Sequence, residues 1–171
     1  HHPVVDTVYG PVRGIDDGTA MSWKGVRYAA PPVADLRFRA PQPPERWTEV
    51  ADADAYGCVC PQPPVPNFPL DLGGVANEDC LFANVWAPSG TAPGDGKPVM
   101  VWLHGGAYVL GSSSQPLYDG RRLAGSGGVG GDYQQNTATS GTKKASWTFT
   151  VVAGATSDPA ATSRPRGSNT S

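Results

Sequence analysis

The sequence predicts short strands at one edge of a larger sheet, preceded by a small antiparallel meander. Three observations carry that expectation. Residues 99–103 (VMVWL) are five apolar residues in a row, bracketed by Pro98 and a His104-Gly105-Gly106 turn, which reads as a strand buried on both faces. A second apolar run, LFANVW at 81–86, precedes it across the turn-rich stretch 87–97, so the two read as an antiparallel pair. Glycine and proline number 22 and 18 among 171 residues, so turns and short strands should outnumber long helices.

Length and charge narrow the functional classes. A chain of 171 residues allows one domain of ordinary size. The net charge is −2 with 16% charged residues, so no basic surface for nucleic acid is expected. No apolar run is long enough for a membrane span, and no charged-then-apolar leader opens the chain at His1. The initial His1-His2 pair reads as a processed end, a tag remnant or a fragment boundary, not a metal site. Cysteines stand at 58, 60 and 80; one intervening residue between the first two and no completing histidine exclude a zinc pattern. One disulfide plus one free thiol is the simpler account, and it suits a secreted or otherwise oxidising location. No metal and no cofactor are expected.

In chain order, residues 4–29 alternate apolar and polar positions, with Asp17-Gly18 as a hairpin turn. Pro31-Pro32 breaks the pattern. Residues 31–47 then read as an extended segment that packs through Leu36, Phe38 and Trp47. Residues 61–77 are a proline-rich surface loop. The Gly105-Gly106 pair after the second strand can turn its backbone sharply and aim amide N–H groups at one spot, the geometry that binds an oxyanion or phosphate. Further on, a short helix is expected near Tyr118–Ala124 with Asp119 as its N-cap.

The motifs GPVRG (10–14), WKGVRYA (23–29), PPV (31–33), LRFRAP (36–41), CPQ (60–62), EDCLFANVW (78–86), VMVWLHGGA (99–107) and YDG (118–120) occur in order over residues 4–128. Together they resemble the N-terminal part of type-B carboxylesterases, the cholinesterase-like branch of the α/β-hydrolases. The resemblance implies an α/β fold, truncated to the N-terminal meander and the first strands of the central sheet, and the activity of a serine hydrolase on small carboxylic esters. It implies that Gly106 and Ala107 offer amide N–H groups to the tetrahedral oxyanion, with Gly105 freeing the turn. His104 is then structural rather than the general base. It also implies a Cys60–Cys80 disulfide, with Cys58 left unpaired. That bridge would close a loop of about twenty residues, worth roughly 3 kcal/mol by chain entropy. Arg37 and Glu78 match a buried ion pair in this family. An acid/base dyad of Glu78 and Asp79 is the weaker alternative, because neighbours on a strand face opposite ways. Ala34 stands where the family favours glycine, and Ala83 where it favours a larger aliphatic. The loop 61–79 holds Phe68 as its one aromatic, which argues against choline esters and for general or aryl esters.

The resemblance stops at Val129. The family nucleophile sits in G-x-S-x-G and is followed by an acid and a histidine. No G-x-S-x-G occurs in these 171 residues, and the histidines are His1, His2 and His104. Where a valine-rich strand should follow, the chain reads GGDYQQN (130–136) and then a Thr/Ser/Ala/Gly-rich stretch to Ser171. With one choice of synonymous codons, the bases for residues 130–135 read one position later spell VVTIN, the expected strand. The expectation is therefore a frameshift after Val129, with residues 1–129 an esterase portion and 130–171 a disordered, low-complexity tail. Within that tail, residues 146–152 alternate like a strand but without expected partners, and Asn169-Thr170-Ser171 is a glycosylation sequon by pattern alone. Such a chain should expose strand edges, dissolve poorly and be inert by itself. The competing expectation is a non-catalytic fragment or interaction module.

Overall fold

A computed structural model describes residues 1–97, 99–126 and the backbone of 150–153. The expected frameshift junction, the rest of the tail and the sequon lie outside these residues.

The opening residues form two short pairings in two sheets. Strand β1 (Val4–Asp6) runs antiparallel to β2 (Pro11–Arg13), and β5 (Ala51–Asp52) joins β2 in parallel. Strands β3 (Ile15–Asp16) and β4 (Ala20–Arg27) form the expected hairpin around Asp17-Gly18. Its turn is held by side chains: the amides of Thr19 and Ala20 donate to Asp17 Oδ1 at 2.8 and 3.1 Å, and Gly18 takes φ +87°. Gly14 lies between the two sheets. A Cβ there would stand 2.3 Å from the Ser22 carbonyl oxygen, so glycine is required for the crossing.

The larger sheet has the order β3-β4-β6-β8-β7, with β6 at Phe82–Pro88, β7 at Val99–Trp102 and β8 at Thr150–Ala153. β6 pairs antiparallel with β4. The expected direct pairing of β6 with β7 is corrected: they run in opposite directions, but β8 lies between them, parallel to β6 and antiparallel to β7. The long 89–98 connection has the reach to step over one strand position, which a tight hairpin would not. The run expected to be without partners thus has two along Thr150–Ala153.

Burial on both faces of β7 is also corrected. Val99 and Val101 are 61% and 49% exposed, because β7 is the last strand of the sheet and no described element covers that face. Alternation then leaves Met100 and Trp102 on the more buried side.

The packed centre lies around β4 and β6. Val12, Met21, Trp23, Ala53 and Ala87 form one buried cluster between the sheets, edged by Trp47. Trp47 anchors the extended segment, as its indole N–H donates to the Pro11 carbonyl at 2.9 Å. Phe38 differs from expectation: it is 62% exposed, at the end of a 3-10 turn on the rim. A second cluster joins Ala20 and Trp86 to Ala124 of α1 (Arg121–Gly125). The helix starts one residue later than expected, with Gly120 at the cap position; Asp119 Oδ1 still accepts the Arg121 amide at 2.8 Å. No helix among the described residues is long and apolar enough to cross a membrane.

Candidate active site

β7 delivers the chain into the glycine loop. Gly106, Ala107 and Tyr108 have successive positive φ values of 127°, 54° and 61°. Only the first is at ease there; left-handed backbone costs a residue with a Cβ about 1–2 kcal/mol. The loop coils on itself, with the amides of Val109 and Leu110 donating to the Gly106 carbonyl at 2.9 and 3.2 Å. A Cβ on Gly106 would lie 1.8 Å from the Leu110 carbonyl oxygen, so no other residue fits. Among the described residues, the amides of Gly106 and Ala107 donate to no protein group. Gly105 and Ala107 are exposed and Gly106 is half-buried. The loop therefore presents two consecutive open donors in a curled main chain, a form suited to an anion.

His104 sits beneath this loop, with 7% exposure. Its Nδ1 is 2.5 Å from the Gly105 carbonyl, which fixes Nδ1 as the donor and leaves Nε2 buried without a partner among the described residues. Burial lowers its pKa below the usual histidine value, opposed by the Gly105 hydrogen bond. Burial thus favours the neutral ring, and no carboxylate hydrogen-bonds it among the described residues.

The loop is anchored from β6. Asn84 is 2% exposed, its Oδ1 accepting the Gly25 amide (2.9 Å) and its Nδ2 donating to Ser113 Oγ (3.2 Å). Gly25 occupies an irregularity in β4 between Trp23 and Val26, and its φ of +66° turns the amide toward Asn84. One amide side chain thereby joins two strands to the segment after the glycine loop.

The structure brings Cys60 and Cys80 together in a disulfide with Cα atoms 5.1 Å apart, and Cys58 is a free thiol. Arg37 and Glu78 also meet, with Nε donating to Oε1 at 2.7 Å and Nη2 to Oε2. Their expected burial is corrected: the side chains are 49% and 40% exposed, since both residues lie on rim turns. Asp79 turns instead to Arg27 of β4, accepting two hydrogen bonds at 2.5 and 2.7 Å, while Arg27 lies over the Phe82 ring. Glu78 and Asp79 therefore engage separate arginines. Arg27, Asn84 and Gln62 were not singled out from the sequence. Arg27 within WKGVRYA and Asp79 within EDC carry no spacing signal, because they stand 52 residues apart. Among the described residues no group of three or more His, Cys, Asp or Glu side chains could hold a metal.

The para-nitrobenzyl esterase of Bacillus subtilis (strain 168) is 49% identical over 132 residues, which is 75% of this chain and 26% of that protein. The cholinesterase of Mus musculus is 37% identical over 132 residues, covering 71% of this chain and 22% of its own length. Among solved structures, a thermophilic PNB esterase superposes with a TM-score of 0.67 at 49% identity, over 74% of this chain and 26% of that one. The chain thus spans about a quarter of the length of the curated relatives it matches. Its solved neighbours are carboxylesterases, which have the α/β-hydrolase fold. The sequence model described as "Carboxylesterase family" matches residues 1–129, and the chain belongs to that family.

Proposed function

We propose that residues 1–129 are the N-terminal portion of a serine carboxylesterase and carry its oxyanion loop. In this reading β1–β4 are the opening meander, and β6 and β7 are the first strands of a larger central sheet. Hydrolysis begins when a serine oxygen attacks the ester carbonyl carbon and the π electrons move onto the carbonyl oxygen. The amides of Gly106 and Ala107 would then donate to that oxyanion; the turn is made at Gly106 with φ +127°, whereas Gly105, expected to free it, takes no positive φ and has open space where a Cβ would stand. Each such donor is worth about 3–4 kcal/mol in the transition state. The observation that carries the reading is the pair of open amides at the end of β7. The Arg37–Glu78 pair and the Cys60–Cys80 bridge tie the N-terminal segment and the 61–79 loop to the same body.

The nucleophile, acid and base lie outside this polypeptide, which is inert by itself. Residues 130–171 follow a shifted reading frame, within which Thr150–Ala153 nevertheless pair as β8 with β6 and β7. The substrates are small carboxylic esters. Phe68 as the one aromatic of the 61–79 loop, and the likeness to a para-nitrobenzyl esterase, favour general or aryl esters over choline esters. A non-catalytic interaction role is the second reading, favoured by the exposed Val99, Val101 and Leu103 along β7 and its end.

The test joins residues 1–129 to the remaining part of the Bacillus para-nitrobenzyl esterase and follows p-nitrophenyl acetate. The hybrid is expected to hydrolyse it, and the 171-residue chain neither to hydrolyse it nor to label with a serine-hydrolase probe. A soluble hybrid without activity, or burst labelling of the chain, overturns the reading. Sequencing the coding DNA beyond Val129 decides the frame.

A further inference from the structure

The disulfide-closed loop grips the far end of the glycine loop through one side chain. Gln62 Oε1 accepts the Gly111 amide at 2.7 Å, and Gln62 Nε2 donates to the Gly111 carbonyl at 3.0 Å. A primary amide that takes both backbone groups of one residue reproduces the pairing that a neighbouring strand would supply. The same Nε2 donates to the Cys60 carbonyl at 3.1 Å, which fixes the rotamer from its own base. Cys60 is fully buried and disulfide-bonded, so that base is rigid.

Two further contacts join the same segments. Gln115 Nε2 donates to the Asp71 carbonyl at 3.1 Å. Gly73, at φ +73°, approaches so closely that a Cβ there would stand 1.8 Å from the Ser114 carbonyl oxygen. Gly111 is also where the glycine loop returns to its origin. A Cβ on it would lie 2.6 Å from His104 Nδ1 and 2.9 Å from the Gly105 carbonyl oxygen. Whatever holds Gly111 therefore holds both ends of the turn that carries the Gly106 and Ala107 amides.

We infer that Gln62 is a positioning residue for the oxyanion loop, and that the Cys60–Cys80 bridge sets its position. The inference rests on the oxyanion reading above for its functional meaning, while the clamp itself is a property of this chain. Gln62 touches no reacting atom; it acts through Gly111. Opening the disulfide frees the base of Gln62 and relaxes the same loop.

Amide hydrogen exchange on the full 171-residue chain tests this residue by residue. Gln62→Ala is expected to speed exchange about tenfold at Gly111, and likewise at Val109 and Leu110, whose amides report on Gly106. The amides of Gly14, Lys24 and Ala53, bonded in and between the sheets, should keep their rates. Gln62→Glu keeps an acceptor but sets a second carboxylate oxygen against the Gly111 and Cys60 carbonyls, so it should speed exchange at Gly111 as Gln62→Ala does. A thiol reductant should reproduce the Gln62→Ala pattern in the wild-type chain and add little to it in the variant. Unchanged rates at 109–111 in Gln62→Ala, equal acceleration at Lys24 and Ala53, or full wild-type protection in Gln62→Glu would each overturn the clamp. These amides respond whether or not the loop binds an oxyanion, so an inactive hybrid esterase and a failed clamp are read separately.

Discussion

Arg121 of α1 donates through Nε to the carboxylate of Asp17 in the β3–β4 turn, joining residues 104 positions apart. The same carboxylate accepts the Thr19 and Ala20 amides, so one side chain both shapes the hairpin and holds the helix to it. The Arg121 hydrogen bond, followed by those amides, holds the Asp17 pKa well below its usual value of 3.8. A depressed carboxylate stabilises the fold above the unfolded pKa, and the contribution is lost as pH falls through the folded one. The Tm gap between wild type and Asp17→Asn should thus be present at pH 7 and shrink below about pH 4. It should be small, since Arg121 and Asp17 are 48% and 36% exposed. A gap unchanged from pH 7 to pH 3 would contradict this account.

His104 gives stability an earlier pH dependence. Its folded pKa lies below the ordinary histidine value of 6.5, so between the two values the unfolded chain binds more protons. Stability is therefore full above about pH 6.5 and declines as pH falls from there toward the folded value. Urea unfolding of the wild type should show a lower midpoint at pH 5.5 than at pH 7.5. His104→Gln should flatten that difference.

Ala34 has φ +48°, where the family's glycine would rest without strain. Left-handed backbone costs an alanine about 1–2 kcal/mol, and glycine gives back roughly 0.5–1 kcal/mol in chain entropy. Ala34→Gly should therefore raise stability by about 0.5–1 kcal/mol, read from denaturant midpoints.

Asn84→Leu should be far more damaging. It leaves the half-buried Gly25 amide without its acceptor, at about 1–3 kcal/mol for a group left unpaired, and removes one hydrogen bond to Ser113 Oγ. A loss of about 1–3 kcal/mol is expected, with altered resonances at Ser112–Ser114 before global unfolding. An Asn84→Leu chain as stable as wild type would show that these contacts carry no net weight.

Local chemistry was legible in the sequence and non-local placement was not. Asp17-Gly18 announced its hairpin because the turn is made by the four residues that encode it. The short helix was legible to within one residue, since Asp119 still serves its first amide. Order across the sheet was not. β8 separates β6 from β7, yet it arrives 48 residues after β7 ends, and nothing within 81–103 encodes the gap. Exposure failed in the same way at Val99, Val101, Phe38 and the Arg37–Glu78 pair. An apolar run or a charge pair fixes what a residue can pack against, not whether a neighbour comes. At the glycine loop the backbone donors were legible from Gly105-Gly106, whereas Gln62 carries no period, charge or spacing that marks an amide aimed 49 residues ahead.

The position of β8 also sets an order of events during synthesis. Among the described residues β7 has β8 as its one paired neighbour, so Val99–Trp102 cannot join the sheet until residue 153 is made. At about 5–20 residues per second, the 48 residues from Trp102 to Thr150 take roughly 2–10 s. Over that interval the hairpin, β6 and the disulfide loop can assemble, while a VMVW edge waits with both sides open. The start of the glycine loop, carried on that strand, therefore joins the sheet only then, whereas its Gly111 end can already be held by Gln62.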